Sequence, residues 1–420
     1  MFNAQTADAR TATAREALTE EEAARHVADT AFRTGPPATV GVELEWLVRP
    51  THDRLARTQP SIIDALLNET GTAPRHGHVT FEPGGALELS SHPAATLAEC
   101  LGNTSADLSR VRAALDALGI RLLGSGLDPE RPPRRVARSP RYTAMEQYFD
   151  REGRAGRWMM ANTASVQINL DAGFESPGPL GYRERWRLAH RLGPVLAAAF
   201  ANSPVKLGVP TGWKSMRQSV WSRLDPGRTG PVGDGDPREA WVRYALSADV
   251  MMVRFPDRPW LVPTRLSFAD WIREGVPRRP TLDDLEYHLS TLFPPIRPRG
   301  YLEFRMIDAQ PGDGWVVPLA VATALLDDAH AAGRAAEALE PLWRRPSAET
   351  PWWRAAKHGL DDPELAAAAL GCFTAALEAL PRLGAGPAAT AAVEEFTAAY
   401  VERGRCPADD ALDALTSASR

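Results

Sequence analysis

Thr39-Val40-Gly41-Val42-Glu43-Leu44-Glu45-Trp46-Leu47-Val48 alternates in a way that reads as a β-strand. Val42, Leu44 and Trp46 make an apolar back, so Glu43 and Glu45 project together from the front. Two carboxylates that converge to about 4 Å repel by roughly 4 kcal/mol at an effective dielectric near 20. Such a pair needs water or a cation. Taken alone, E-x-E is most simply the solvated face of an amphipathic strand.

The arrangement recurs along the chain. Glu82 and Glu88 flank the turn Pro83-Gly84-Gly85, which joins Val79–Glu82 to Ala86–Ser90 as a tight β-hairpin. Gln167 and Asn169 share one face of Val166–Leu170, and Glu303 and Arg305 share one face of Tyr301–Arg305. Each strand has an apolar back and a front of carboxylate, amide or guanidinium. A sheet face of that kind suits hard cations with oxygen ligands, magnesium above all, and offers none of the soft ligands of zinc.

Around these strands, Thr19 and Glu22 form a capping-box pattern for a helix running to about Phe32. Helices are predicted over 94–118, 179–201, 237–250 and 281–291, a short strand over Arg121–Gly124, and loops over 225–237 and 256–264. Beyond about 315 alanine-rich helical runs replace the alternating segments. We divide the chain into a leader and helix (1–34), with a frayed start over 1–18, an α+β catalytic core on antiparallel strands (35–312) and a C-terminal helical region packed on it (313–420).

Net charge is −5 and hydrophobic residues make up 44%, which points away from nucleic acid and an anionic membrane and toward a soluble protein. No stretch reaches 18 uninterrupted apolar residues, and Met1–Gln5 leads into polar sequence, so neither a membrane span nor a signal peptide is predicted. Cys100, Cys372 and Cys406 lack disulfide or metal spacing, which favours a reducing cytoplasm.

Small residues, arginines and tryptophans crowd Ala201–Pro204, Gly212–Trp221 and Asp225–Gly230, a loop-rich stretch able to grip carboxylates and phosphates. Taken alone, the stretch reads better as a Gly- and Pro-rich surface loop with its arginines in water. There is no Walker A pattern, G-x-G-x-x-G, G-x-S-x-G or H-E-x-x-H. His76, His78 and His92 lie near the hairpin without ligand spacing.

Seven segments in order resemble the glutamate–cysteine ligases of the plant and proteobacterial type, particularly the actinobacterial branch that begins ergothioneine synthesis. They are Gly41–Glu45, Glu82–Ser90, Val166–Asp171, Phe200–Pro204, Arg217–Trp221, Asp225–Gly230 and Tyr301–Arg305. The resemblance implies a glutamine-synthetase-like curved antiparallel sheet with flanking helices, binding ATP and two or three Mg²⁺ ions. On the matching positions, Glu43, Glu45, Glu82, Glu88, Gln167 and Glu303 would hold the metal. Arg217 would hold the glutamate α-carboxylate, with Trp221 beside the substrate. Arg305 would serve catalysis over the transferred phosphoryl group, with Arg228 on the nucleotide phosphates. A looser match puts Arg141, Tyr142 and Met145 in the amino-acid pocket.

The activity implied is ligation of glutamate's γ-carboxylate to cysteine's amine through an acyl phosphate, giving γ-glutamylcysteine, ADP and phosphate. Rival readings are a sister carboxylate–amine ligase with another acceptor, a metal-dependent hydrolase and a non-catalytic binding relative.

Overall fold

The computed structural model describes residues 17–344 and 349–418. Nine strands occur among them: β1 (Val40–Pro50), β2 (Gly77–Phe81), β3 (Leu87–Ser91), β4 (Ile120–Leu123), β5 (Ser165–Asp171), β6 (Val205–Lys206), β7 (Val209–Pro210), β8 (Ile296–Pro298) and β9 (Tyr301–Asp308). Seven of them make one sheet in the order β2-β3-β1-β5-β9-β8, with β4 paired to the far half of β1. Every pairing in it is antiparallel. The α+β expectation holds.

The register sets the front of the sheet. Glu45 pairs with Glu88 across β1 and β3, and Glu43 pairs with Gln167 across β1 and β5. Asn169 pairs with Glu303 across β5 and β9. Between Val166 and Ile168 the β5–β9 register slips, so Arg305 and Met306 together face Gln167. A bulge of this kind re-aims a side chain. Behind the sheet Val42, Leu44, Trp46, Ile168 and Phe304 are buried in the main core.

The capping box at Thr19 is formed, and the helix Glu20–Ala31 follows. The rest of the expected leader, residues 1–16, lies outside the described residues. Predicted helices appear slightly shortened, as Leu97–Ala117, Tyr182–Ala199, Pro237–Ser247 and Leu282–Leu289. The stretch read as loop-rich carries a six-residue helix, Met216–Trp221, and a single turn, Pro226–Thr229. Their caps explain the difference: Ser215 Oγ accepts from Gln218 N, and Asp225 caps Gly227 with Pro226 in the first turn. Four further helices are absent from the sequence-based expectations: Pro60–Glu69, Pro140–Phe149, Ala155–Asn162 and Phe268–Glu274.

Past residue 315 the described chain is helical, and its side chains enter the main core: Phe373 and Phe396 lie 5.9 and 5.0 Å from Phe200, ring to ring. Lys214 bridges to Asp361 at 2.8 Å and to Asp409. No single described helix is long and apolar enough to cross a membrane.

Candidate active site

A cavity of about 230 Å³ opens over the front of the sheet. Glu43, Glu45, Glu82, Glu88, Gln167 and Arg305 line its sheet side, and Arg217 and Trp221 close one end. Arg141, Tyr142 and Met145 reach it from the helix Pro140–Phe149. Ser139 caps that helix and Pro140 opens it, so its first turn is fixed next to the cavity.

Glu45, Glu82 and Glu88 bring ligand oxygens within 4.8 Å of one another. Glu45 is buried and accepts from Ser165 N at 2.9 Å and Gln167 Nε2 at 2.7 Å. Glu88 accepts from Thr80 Oγ1 and Ser90 Oγ. Glu82 sits in the hairpin turn rather than in a strand, with Glu82 N bonded to Ala86 O. That turn is clamped from outside: Pro83 O accepts from Val136 N and Ala137 N, and Gly84 O accepts from Arg57. A Cβ on Gly84 would come within 1.9 Å of Ala161 O, so only glycine allows this approach.

Burial and mutual repulsion drive these carboxyls toward their neutral form. Burial, then Glu45 and Glu88, pushes Glu82 well above the usual carboxylate range. Burial also raises Glu45 against the pull of Arg217 and Arg305, and raises Glu88 with help from Glu45. Glu43 rises to about 7 through burial, Glu303 and Glu88. Three convergent oxygen donors that cannot all ionise alone fit a divalent cation.

Glu303 behaves differently from the other expected ligands. It is fully buried and does not line the cavity. Both its oxygens engage Arg297, through Nε and at 2.9 Å through Nη2, and Arg305 Nη1 lies 3.1 Å away. Burial opposes its ionisation, but Arg297 and Arg305 override that and hold the carboxyl well below its usual range. Guanidinium takes up its oxygens, so an ion would have to displace Arg297 or Arg305 to use them.

Four donor atoms along the cavity are buried without a hydrogen-bond partner: Arg217 Nε and Nη1, Trp221 Nε1 and Arg305 Nε. Arg217 is itself fixed by donating from Nη2 to Arg305 O at 2.7 Å, and Asp308 lies 3.8 Å from its Nη1. Asp308, absent from the sequence-based set, gathers Asn202 N, Ser203 Oγ and Ser215 Oγ and so ties this helix to the end of β9. Asn202 and Ser203, read in the sequence as part of an anion-binding stretch, are therefore scaffold. Arg141 lines the cavity but binds Ser290 Oγ and O at 3.1 and 3.0 Å.

Arg228 does not reach the cavity. It is fully buried, donates to Thr291 O and Oγ1 at 2.7 and 2.8 Å and to Asp249 O, and packs over Tyr148. Two carbonyls and the Thr291 hydroxyl take up both of its terminal nitrogens, so the phosphate role expected for it is corrected to a structural one. His76, His78 and His92 are exposed. A larger cavity, about 460 Å³, borders the other side of the Pro140–Phe149 helix among Arg134, Arg135, Arg138 and Arg157. None of the clustered carboxylates line it, and we do not assign the chemistry there.

The chain is similar to known proteins over most of its length. The glutamate–cysteine ligase family 2 (GCS2) pattern matches residues 39–419. Glutamate–cysteine ligase EgtA of Mycolicibacterium smegmatis is 41% identical over 413 residues, 94% of this chain and 92% of the relative. EgtA of Mycobacterium tuberculosis (strain H37Rv) is 40% identical over 401 residues, 93% of this chain and 89% of the relative. The chloroplastic glutamate–cysteine ligase of Medicago truncatula is 35% identical over 243 residues, 56% of this chain and 47% of the plant enzyme. The fold is shared with the glutamate–cysteine ligase of Francisella tularensis, solved in complex with AMP, at a TM-score of 0.53 and 16% identity, covering 91% and 85% of the two chains. With a family match across nearly the whole chain and a relative of such coverage, the chain belongs to glutamate–cysteine ligase family 2.

Proposed function

We propose that this cavity joins the γ-carboxylate of glutamate to the amine of cysteine with ATP, giving γ-glutamylcysteine, ADP and phosphate. One observation carries the reading: carboxylates that crowd and repel one another share a cavity with buried arginine N–H groups that have no hydrogen-bond partner. Glu45, Glu82 and Glu88 would hold Mg²⁺. Glu43 and Gln167 would contribute to further ions, and Glu303 would do so on releasing its arginines. The ion bound there supplies charge neutralisation for the polyphosphate.

The two free donors of Arg217, with Trp221 Nε1 beside them, suit the α-carboxylate of glutamate. Arg141, Tyr142 and Met145 form the opposite wall. Arg305, held by Glu303 and Gln167, stands where charge develops as the γ-carboxylate attacks the terminal phosphoryl group. The resulting acyl phosphate is the electrophile that the amine attacks, and phosphate leaves. No nucleophilic side chain is required.

We place the reaction in the cytoplasm, where the acceptor thiol stays reduced and the free Cys100, Cys372 and Cys406 persist. Ergothioneine synthesis is the pathway to which the family branch points. The test is product analysis by mass spectrometry with ATP, Mg²⁺, glutamate and a panel of amines. Glutamate- and cysteine-dependent γ-glutamylcysteine with ADP is expected. AMP and pyrophosphate, or turnover with another amine alone, would overturn the assignment.

A further inference from the structure

Six of the chain's eight methionines gather in one hydrophobic cluster beneath the cavity: Met145, Met159, Met160, Met216, Met251 and Met252. The much larger main core contains only Met306. Three of the six, Met145, Met159 and Met160, line the cavity itself, and each is at most 9% exposed. They come from two neighbouring helices, Pro140–Phe149 and Ala155–Asn162.

The rest of the cavity divides cleanly. Its sheet side is carboxylate, amide and guanidinium. Trp221 and Phe293 stand against Arg217 and Arg305, with guanidinium-to-ring distances of 5.6 and 5.8 Å. The methionine wall is therefore the apolar surface left for a second substrate's side chain. Thr163, which also borders it, already donates its hydroxyl to Met159 O at 2.6 Å.

We propose that Met145, Met159 and Met160 are the specificity-determining surface for the acceptor, admitting a thiol and rejecting a hydroxyl. The proposal rests on the ligase reading above. A thioether is only a weak acceptor, so a serine hydroxyl turned against this wall loses its water and gains little. A thiol behaves as a small, polarisable hydrophobe and loses almost nothing, while unbranched methionines adjust around it. Cysteine and serine differ in little else, so the wall is where the choice is made.

The test compares kcat/KM for cysteine, 2-aminobutyrate and serine in the full-length enzyme with ATP, Mg²⁺ and saturating glutamate. 2-Aminobutyrate, an apolar match in shape, should lie within about tenfold of cysteine, and serine should fall behind by roughly 10²-fold. Met159→Gln and Met160→Gln each offer an amide at similar length and should cut the cysteine-to-serine ratio about tenfold or more. Met159→Leu should preserve the ratio, as should Met251→Gln, which changes the same cluster away from the cavity. A wild-type enzyme that uses serine as well as cysteine overturns the inference, as does an unchanged ratio in both cavity glutamine variants. Either result leaves the ligase reading standing. If the wild-type protein ligates no amino acid at all, the ligase reading itself fails and takes the inference with it.

Discussion

Two ends of one sheet hold their glutamates in opposite states. At the β3 end Glu45, Glu82 and Glu88 face one another, and their carboxyls are driven toward neutrality. At the β8–β9 end Glu303 is surrounded by Arg297, Arg305 and, at 3.6 Å, Arg299, and stays ionised. Glu303 is fully buried and Glu82 and Glu88 only half-buried, an order that would favour the neutral form more at Glu303, so the difference lies in the counter-charge. One end carries its cations in the chain, and the other leaves room for a cation from solution. Arg305 stands between them, within reach of both sets of carboxylates.

The sharpest way to break this comparison is to neutralise one glutamate at each end. Glu303→Gln leaves Arg297 buried without its counterion and should cost about 3–5 kcal/mol of folding stability. Glu82→Gln relieves repulsion and should raise stability in metal-free buffer. Denaturant melts in EDTA would show opposite signs. Equal losses in both variants would mean that the two ends are electrostatically alike.

Glu43→Gln and Glu45→Gln extend the comparison to turnover. Each should keep the fold while lowering kcat by roughly 10²–10³-fold, about 2.7–4 kcal/mol, the scale of losing one electrostatic partner of a transition state. A magnesium titration of activity alongside metal-free thermal melts checks both halves. Near-normal turnover would return these residues to the solvated-strand reading.

The pH profile separates the ends without mutation. Glu43 titrates near 7 when folded against about 4.5 when unfolded, so between those values the folded state holds a proton that the unfolded state has lost. Stability of the metal-free protein should therefore fall as pH rises through that window, by on the order of 3 kcal/mol. Glu303 acts in the opposite sense, stabilising above the unfolded carboxylate range and losing that contribution as pH falls toward its depressed folded value. Thermal melts from pH 2 to 8 in EDTA should show both limbs, that of Glu303 below about 4.5, and saturating Mg²⁺ should flatten the neutral one. A neutral limb that persists unchanged in Mg²⁺ would place the cation elsewhere.

How far the sequence foretold this follows from what periodicity can carry. The two-residue period put Glu43 with Glu45 and Glu303 with Arg305 on shared faces, and the structure keeps both pairs. Glu82 and Glu88 were found from the turn between them. Periodicity is silent on what lies across the cavity, so Met159, Met160, Phe293 and Ser290 went unseen. Arg228 illustrates the opposite error: a guanidinium in a Gly- and Pro-rich turn looks ready for phosphate, but nearby carbonyls claim it. The excess of arginine near Glu303 was visible in Arg297-Pro298-Arg299, yet only the β8–β9 pairing turns it into a cage.

The smallest expected effect distinguishes two buried arginines. Arg217→Lys keeps the charge but loses the two-pronged grip, and should raise the glutamate KM by about 1.5–3 kcal/mol in binding terms with kcat less affected. Arg228→Lys should leave that KM unchanged and lower thermal stability instead. Steady-state kinetics with ATP and cysteine saturating, paired with melts, checks both. Exchange of the two phenotypes would reverse the assignments.

The central claim is that the γ-carboxylate of glutamate is phosphorylated in this cavity before the amine attacks. Glutamate carrying ¹⁸O in its γ-carboxylate tests it directly, with the released phosphate examined by ³¹P NMR. One ¹⁸O atom should appear in the phosphate formed with each γ-glutamylcysteine, because the oxygen bridging carbon and phosphorus leaves with phosphorus. Label found in AMP, or phosphate free of label while the dipeptide accumulates, would contradict the claim.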